Sequence, residues 1–219
     1  MTNFQKRILT TLIALPLSIY VLTIGGAPLV FFLIFILFVG THELFTVFKK
    51  KSTKLFLFLL LSFSLCSIYF LANTTALSKV ILYFSIAVCI SSDIGGYVFG
   101  KIFRWKKLTK ISPKKTISGV FGSYFFSLVC LYAFNEYYLE SIGGPKLNIT
   151  FLLGINEILL TIFLSTVAQA GDLTISYFKR LDKIKDTGKI LPGHGGVFDR
   201  IDGLMFISIL AYLLYLTRI

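Results

Sequence analysis

Polar and apolar positions alternate along this chain in long blocks rather than in the short periods of soluble helices or strands. Seven apolar segments stand out, at 8–24, 27–48, 55–73, 79–100, 117–138, 150–178 and 203–217. Several approach the roughly 20 residues that a helix needs to cross a bilayer core of about 30 Å. In hydrocarbon no water is present to satisfy open backbone groups, so each segment is predicted to be helical despite its Phe, Ile and Val content. The expected fold is an all-α, polytopic integral membrane helical bundle with about seven transmembrane helices, or up to nine if short or broken helices are counted. Residues 1–219 read as a single membrane domain. Within it 1–78 supplies N-terminal helices and 79–203 carries the polar motifs. Lys6 and Arg7 before the first segment, and Gly25-Gly26-Ala27 after it, have the layout of a signal peptide. A second apolar run follows at once, so the first segment is expected to be a retained helix.

Composition sharpens this picture. The chain is 56% hydrophobic and 15% charged, against about 45–50% and about 25% in soluble domains. Its net charge of +12 is read as contact with anionic headgroups rather than with nucleic acid. Of the 22 Lys and Arg, 19 fall at alternate segment ends: at 6–7, 49–54, 101–115 and 179–200. The positive-inside rule places those ends in the cytoplasm. Lys106, Lys107, Lys110 and Trp105 read mainly as headgroup contacts. Cys66, Cys89 and Cys130 lie within apolar segments, odd in number and without Cys-x-x-Cys spacing, which points to neither disulfides nor a zinc site.

The two longest polar stretches, 101–116 and 179–200, thus face one compartment, the one that holds nucleotides. Several residues near them suggest chemistry. Asp93 sits inside an apolar segment, where a carboxylate is costly and usually marks a cavity, a partner or a substrate path; with Gly95 and Gly96 it is expected to line a lateral cleft for lipid. Asp172 shares a helical face with Ser176 and Lys179, beside Arg180. Ser112, Lys114, Lys115 and Thr116 flank Pro113 where a helix is expected to begin, and hydroxyls, lysines and free N–H groups there suit phosphate. Gly195 and Gly196, in Pro192-Gly193-His194-Gly195-Gly196, give a flexible backbone whose N–H groups can enclose an anion. Asp199 and Asp202 are three apart at the start of the last helix. Asp172 from one helix and Asp199 from another supply the one or two carboxylates with which Mg²⁺ is commonly held, water and phosphate completing the shell. Glu43 and His42 read as interfacial or paired structural groups.

The run Ser176-x-Phe178-Lys179-Arg180, then Lys185-Asp186-x-Gly188-x-x-Leu191-Pro192-Gly193-His194-Gly195-Gly196-Val197-x-Asp199-Arg200-Ile201-Asp202 resembles the signature of the phosphatidate cytidylyltransferase (CDP-diacylglycerol synthase) family. Ser92-Asp93-x-Gly95-Gly96-Tyr97 and Ser112-Pro113-Lys114-Lys115-Thr116-x-x-Gly119 are similar to further family elements, so the resemblance covers 92–203. Two departures are visible: Ser118 stands where the family often has Glu or Gln, and Ser123 where it has a second glycine.

The resemblance implies a reaction: CTP and phosphatidate give CDP-diacylglycerol and pyrophosphate in phospholipid synthesis. It implies Asp172 and Asp199 as ligands of Mg²⁺, alone or with a second cation. Lys179, Arg180, Lys185 and Arg200 are then expected to neutralise phosphates. Asp186, His194 and Asp202 complete the metal shell, orient a cation or read the cytosine. The implied setting is a bacterial cytoplasmic membrane, or failing that an organelle membrane, with a homodimer left open. Two alternatives remain: a CTP-dependent polyprenol kinase, and an anion or organophosphate transporter using Asp93 and Asp172 as pathway groups.

Overall fold

A computed structural model describes residues 3–109, 111–138, 157–188, 190 and 195–217. Seven α-helices run through them: α1 (Asn3–Ile24), α2 (Gly26–Val47), α3 (Lys51–Asn73), α4 (Ala76–Phe103), α5 (Ile117–Ala133), α6 (Glu157–Leu181) and α7 (Phe198–Leu216). A single π-helical turn, Phe134–Tyr138, extends α5. Among the described residues the only β pairing is an isolated bridge between Lys107 and Thr116. The chain is an all-α polytopic membrane protein. Five helices, α2 to α6 with α5 taken as far as Glu136, are long and apolar enough to cross a bilayer. Lipid-type surface agrees with this: Phe31, Phe38, Phe63 and Tyr132 are 64–73% exposed.

The helices outrun the apolar segments at several ends. Hydropathy marks the part immersed in hydrocarbon, whereas hydrogen bonding carries the helix on into the interface. Thus α3 begins at Lys51 and α4 extends from Ala76 to Phe103. Residues 150–156, assigned above to the sixth segment, lie outside the described residues. The largest difference is at α7, which starts at Phe198, five residues before its apolar run. Its first turn is polar because it borders a polar cavity rather than lipid.

Local chemistry fixes the turns. Gly25 and Gly26 take φ of 68° and 56°, a left-handed conformation that favours glycine, and so reverse the chain between α1 and α2. The Gly26 N–H donates to Asn73 Oδ1 at 3.1 Å. A capping box opens α4, with Ser78 N donating to Thr75 Oγ1 and Thr75 N donating to Ser78 Oγ. Thr116 caps α5 by accepting from Gly119 N at 3.1 Å.

Packing places α7 at the centre. It touches α3, α4 and α6, and its residues join two cores. Met205 and Ala211 belong to one with Leu57, Leu61 and Leu71; Ile207 belongs to the other with Val88 and Leu164. Elsewhere α4 and α5 meet closely through Gly95, Gly96 and Gly100 against Gly119 and Gly122. A Cβ at Gly119 would sit 2.9 Å from Gly96 O, nearer than real side chains approach. Serines bridge helices where lipid offers no hydrogen bonds: Ser92 with Ser165 at 2.9 Å, Ser64 with Ser208 at 3.1 Å, and Ser123 Oγ donating to Ser92 O at 2.7 Å. Ser123, a departure from the family glycine, is therefore an interhelical tie.

Alternate helix ends do gather at one face. Lys49 N donates to Asp182 Oδ2 across the ends of α2 and α6, and Arg180 Nε donates to Ile111 O. At the opposite face Tyr83 Oη donates to Leu22 O, and Thr75 meets Tyr215.

The α4–α5 crossing leaves no space for a side chain. Gly122→Val should lower stability in detergent by about 1–3 kcal/mol, the usual cost of overpacking, measured as the shift of thermal unfolding. An unchanged melting temperature would show that the crossing yields.

Candidate active site

At the basic face, a cavity of about 490 Å³ lies between α4, the 104–116 loop, α5, α6 and α7. Asp93, Ser112, Lys114, Lys115, Thr116, Asp172, Asp199, Arg200 and Asp202 all line it, together with Ser92, Gly96, Tyr97 and Gln169. Residues from 110 positions of sequence thus meet in one volume.

The acids divide into two groups by what they touch. Asp172 Oδ2 pairs with Lys115 Nζ at 2.6 Å, and Ser176 Oγ donates to Oδ1 at 3.4 Å. Lys115 Nζ also donates to Gln169 O. Asp202 lines the same cavity as Asp172, close enough for the two carboxyl groups to act on each other electrostatically. Like charges so placed repel, and a nearby cation relieves them. Asp93 lies within the electrostatic reach of Asp172, Lys115 and Arg200. These three acids form the open, chemically unsettled side of the cavity.

Asp199 is different. Its Oδ1 takes Lys179 Nζ at 2.8 Å, and its Oδ2 accepts from Thr187 N at 2.8 Å and from Gly196 N at 3.2 Å. Both side chains of the pair are nearly buried, at 7% and 10% exposure. Asp199 thus ties the end of α6, the following loop and the start of α7 together, and its lone pairs are largely occupied. Asp199 lines the same cavity as Asp172 and Asp202.

Glu43, on α2, completes that tie. It is 2% exposed and accepts from Val197 N and Phe198 N at 3.0 Å each, filling the donor end of α7. Its carboxyl group also explains two glycines. A Cβ at Gly188 would lie 2.5 Å from Glu43 Oε1, and one at Gly196 would lie 2.6 Å from Oε2. Gly188 and Gly196 therefore sit against the Glu43 carboxylate, and the N–H of Gly196 is directed to Asp199. Neither Gly195 (φ +91°) nor Gly196 lines the cavity.

The other expected residues fall as follows. Lys179 is buried against Asp199. Arg180 Nη1 donates to Ile184 O at 3.0 Å, so it ties loops together rather than facing the cavity. Lys185 and Asp186 are exposed and outside the cavity lining. His194 lies outside the described residues. Gly95 is closed over by α5, so of the expected lateral cleft only Asp93 and Gly96 border open space. Ser118 is 2% exposed and bonds Thr116 at 3.0 Å. Sequence reasoning missed the roles of Gln169, Asp182 and Glu43. For Glu43 the signal was present, as a lone acid in an otherwise apolar helix.

Among the described residues no three His, Cys, Asp or Glu side chains converge as a ready metal cage. Asp172, Asp199 and Asp202 are the carboxylates near one another in the cavity lining that could share a hard cation with water and phosphate.

Fold and cavity together define an integral membrane helical protein with a pocket of acidic and basic side chains at one end of its bundle. The chain belongs to the Cytidylyltransferase family, whose model matches residues 74–217. It is 43% identical over 128 residues to a protein named phosphatidate cytidylyltransferase from Staphylococcus aureus strain COL, covering 58% of this chain and 45% of that one. A protein of the same name from Staphylococcus haemolyticus strain JCSC1435 is 41% identical over 143 residues, 64% of this chain and 50% of its own length. Another from Staphylococcus epidermidis strain ATCC 12228 is 39% identical over 127 residues, 58% and 45% respectively. The chain spans about half the length of the curated relatives it matches.

Glu43 lies before the matched region, yet it presses on Gly188. Gly188→Ala should destabilise the protein by about 1–3 kcal/mol through overpacking. In a Glu43→Ala background the same change should cost less, with a coupling of about 0.5–3 kcal/mol. Additive effects in thermal unfolding would show that Glu43 does not shape this loop.

Proposed function

We propose that this protein transfers the cytidylyl group of CTP to phosphatidate, releasing pyrophosphate and leaving CDP-diacylglycerol in the membrane. The observation that carries the reading is that Asp172 and Asp202 line one cavity with Lys114, Lys115 and Arg200, within a chain of this family. In the reaction a phosphate oxygen of phosphatidate attacks the α-phosphorus of CTP in line. The new O–P bond forms as the bond from the α-phosphorus to the bridging oxygen breaks, and pyrophosphate carries away that electron pair. The nucleophile is already anionic, so positioning and charge neutralisation do most of the work.

Mg²⁺, when bound, neutralises the triphosphate and activates it toward attack. Asp172 and Asp202 are the residues best placed to hold it. Asp199 supports them by fixing the first turn of α7. Lys115, now held by Asp172, and Lys114 stand ready to take phosphate charge, and Arg200 can offer paired donors. The charge asymmetry supports a cytoplasmic position for this face, in a bacterial cytoplasmic membrane. Against a transporter stands the one-sided placement of the cavity.

Labelled CTP separates the readings. With phosphatidate and Mg²⁺, label on cytosine should enter the lipid and EDTA should stop it; label entering only from the γ-phosphate would mean a kinase, and none would point to transport. Asp172→Asn and Asp202→Asn should each lower turnover about a thousandfold, through several kcal/mol of lost charge stabilisation, while unfolding stays near wild type. Asp199→Ala should instead destabilise the fold by about 3–5 kcal/mol, because it strands the buried Lys179. Wild-type rates in either asparagine variant would remove that residue from the metal site.

A further inference from the structure

A second cavity of about 730 Å³ lies on the other side of α7, between α1, α2 and α3. Its size is that of a ligand pocket, and its walls are apolar, with Ile13, Leu17, Phe35, Ile68, Ile201 and Leu204 among them. The serines that reach it are already bonded: Ser18 Oγ donates to Ala14 O at 2.7 Å, and Ser64 pairs with Ser208. Ile13, Leu17 and Phe35 are also 48–60% exposed, so this wall faces the bilayer as well as the chamber.

The first turns of α7 separate the two cavities. Val197, Ile201 and Leu204 line the apolar chamber, whereas Asp199 and Asp202 line the polar one. Those spacings are two faces of one helix. Arg200 lines both. A molecule lying across the start of α7 would therefore have apolar surroundings on one side, carboxylates and lysines on the other, and a guanidinium between them.

We propose that this chamber holds one acyl chain of the phosphate-bearing lipid whose head enters the polar cavity, with Arg200 at the junction. The proposal rests on the phosphatidate reading above and adds to it where the tail lies. The chain gains little affinity by entering, because lipid tails are as apolar as the side chains that would receive them. What it gains is orientation: a tail held in the chamber fixes the height and angle of the phosphate against the reacting centre, where misplacement is costly.

The test uses the full chain in phosphatidylcholine vesicles and a phosphatidate bearing a mid-chain diazirine. On illumination without CTP, adducts should concentrate on Leu17 and Leu204 over the lipid-facing Phe125 and Phe163. Unlabelled phosphatidate should compete for them, and phosphatidylcholine of the same chains should not. Labelling spread evenly over all four positions, or insensitive to competition, overturns the proposal. So does efficient disulfide linkage of two copies through Leu17→Cys, which would give the chamber to a second chain. As a second arm, Ala14→Phe should reduce the preference for long-chain over short-chain phosphatidate, in kcat/KM, by about tenfold, on the scale at which misplaced reactants lose rate. An unchanged preference counts against the chamber. Selective labelling in a protein that puts no cytosine label into lipid would leave the tail site standing and remove the transferase reading.

Discussion

Four backbone N–H groups, those of Thr187, Gly196, Val197 and Phe198, donate to two buried carboxylates, Asp199 and Glu43. The rest of the site depends on that arrangement. A polar loop folded back against an apolar bundle would otherwise bury donors without partners, each costing about 1–3 kcal/mol. The two acids answer that need from different directions, Asp199 from within α7 and Glu43 from α2. The negative charge of Asp199 is met by Lys179, and that of Glu43 by the donor end of α7. With its first turn so held, α7 keeps a fixed rotation about its axis. That rotation decides which of its side chains face Asp172 and which face the apolar chamber.

Acids in this chain therefore serve two separate purposes that composition alone does not distinguish. Asp199, Glu43 and Asp182 accept hydrogen bonds from backbone N–H groups and hold elements in place. Asp93, Asp172 and Asp202 crowd one another across a cavity, an arrangement with no structural benefit of its own because like charges repel. Lys115 meets part of that charge at Asp172, and a further cation would relieve the rest. The cluster is therefore the part of the molecule whose energetics point outward, toward a ligand.

Much of the fold could be read from the chain before any coordinates. Apolar blocks near bilayer length marked seven helices, and the distribution of Lys and Arg correctly grouped their ends. Thr116 as the start of α5 followed from Pro113 and the hydroxyls around it. What escaped was partnership. Asp199 and Asp202 sit three apart on one helix, so spacing could not say which of them would meet Asp172 and which would turn to Lys179. Gly195 and Gly196 looked like a place for an external anion, whereas Gly196, like Gly188, sits against Glu43, some 150 residues away in sequence. Long-range pairing of this kind leaves no local pattern. The small-residue motif Gly95-Gly96 was similarly ambiguous: small side chains serve either a cleft or a close crossing, and contact with Gly122 decided for the crossing.

The position of α7 also explains the charged residues in its first two turns. A helix facing lipid can be uniformly apolar, and α2 nearly is. A helix that divides a polar cavity from an apolar one must carry both characters within its first two turns. Asp199, Arg200 and Asp202 alternate there with Val197, Ile201 and Leu204. Its three charged residues set α7 apart from the five helices that are long, apolar and sparsely charged enough to span. Its burial by α3, α4 and α6 removes the need for lipid-compatible sides. The mixed character of its first two turns is thus a consequence of its place between the polar cavity and the apolar chamber.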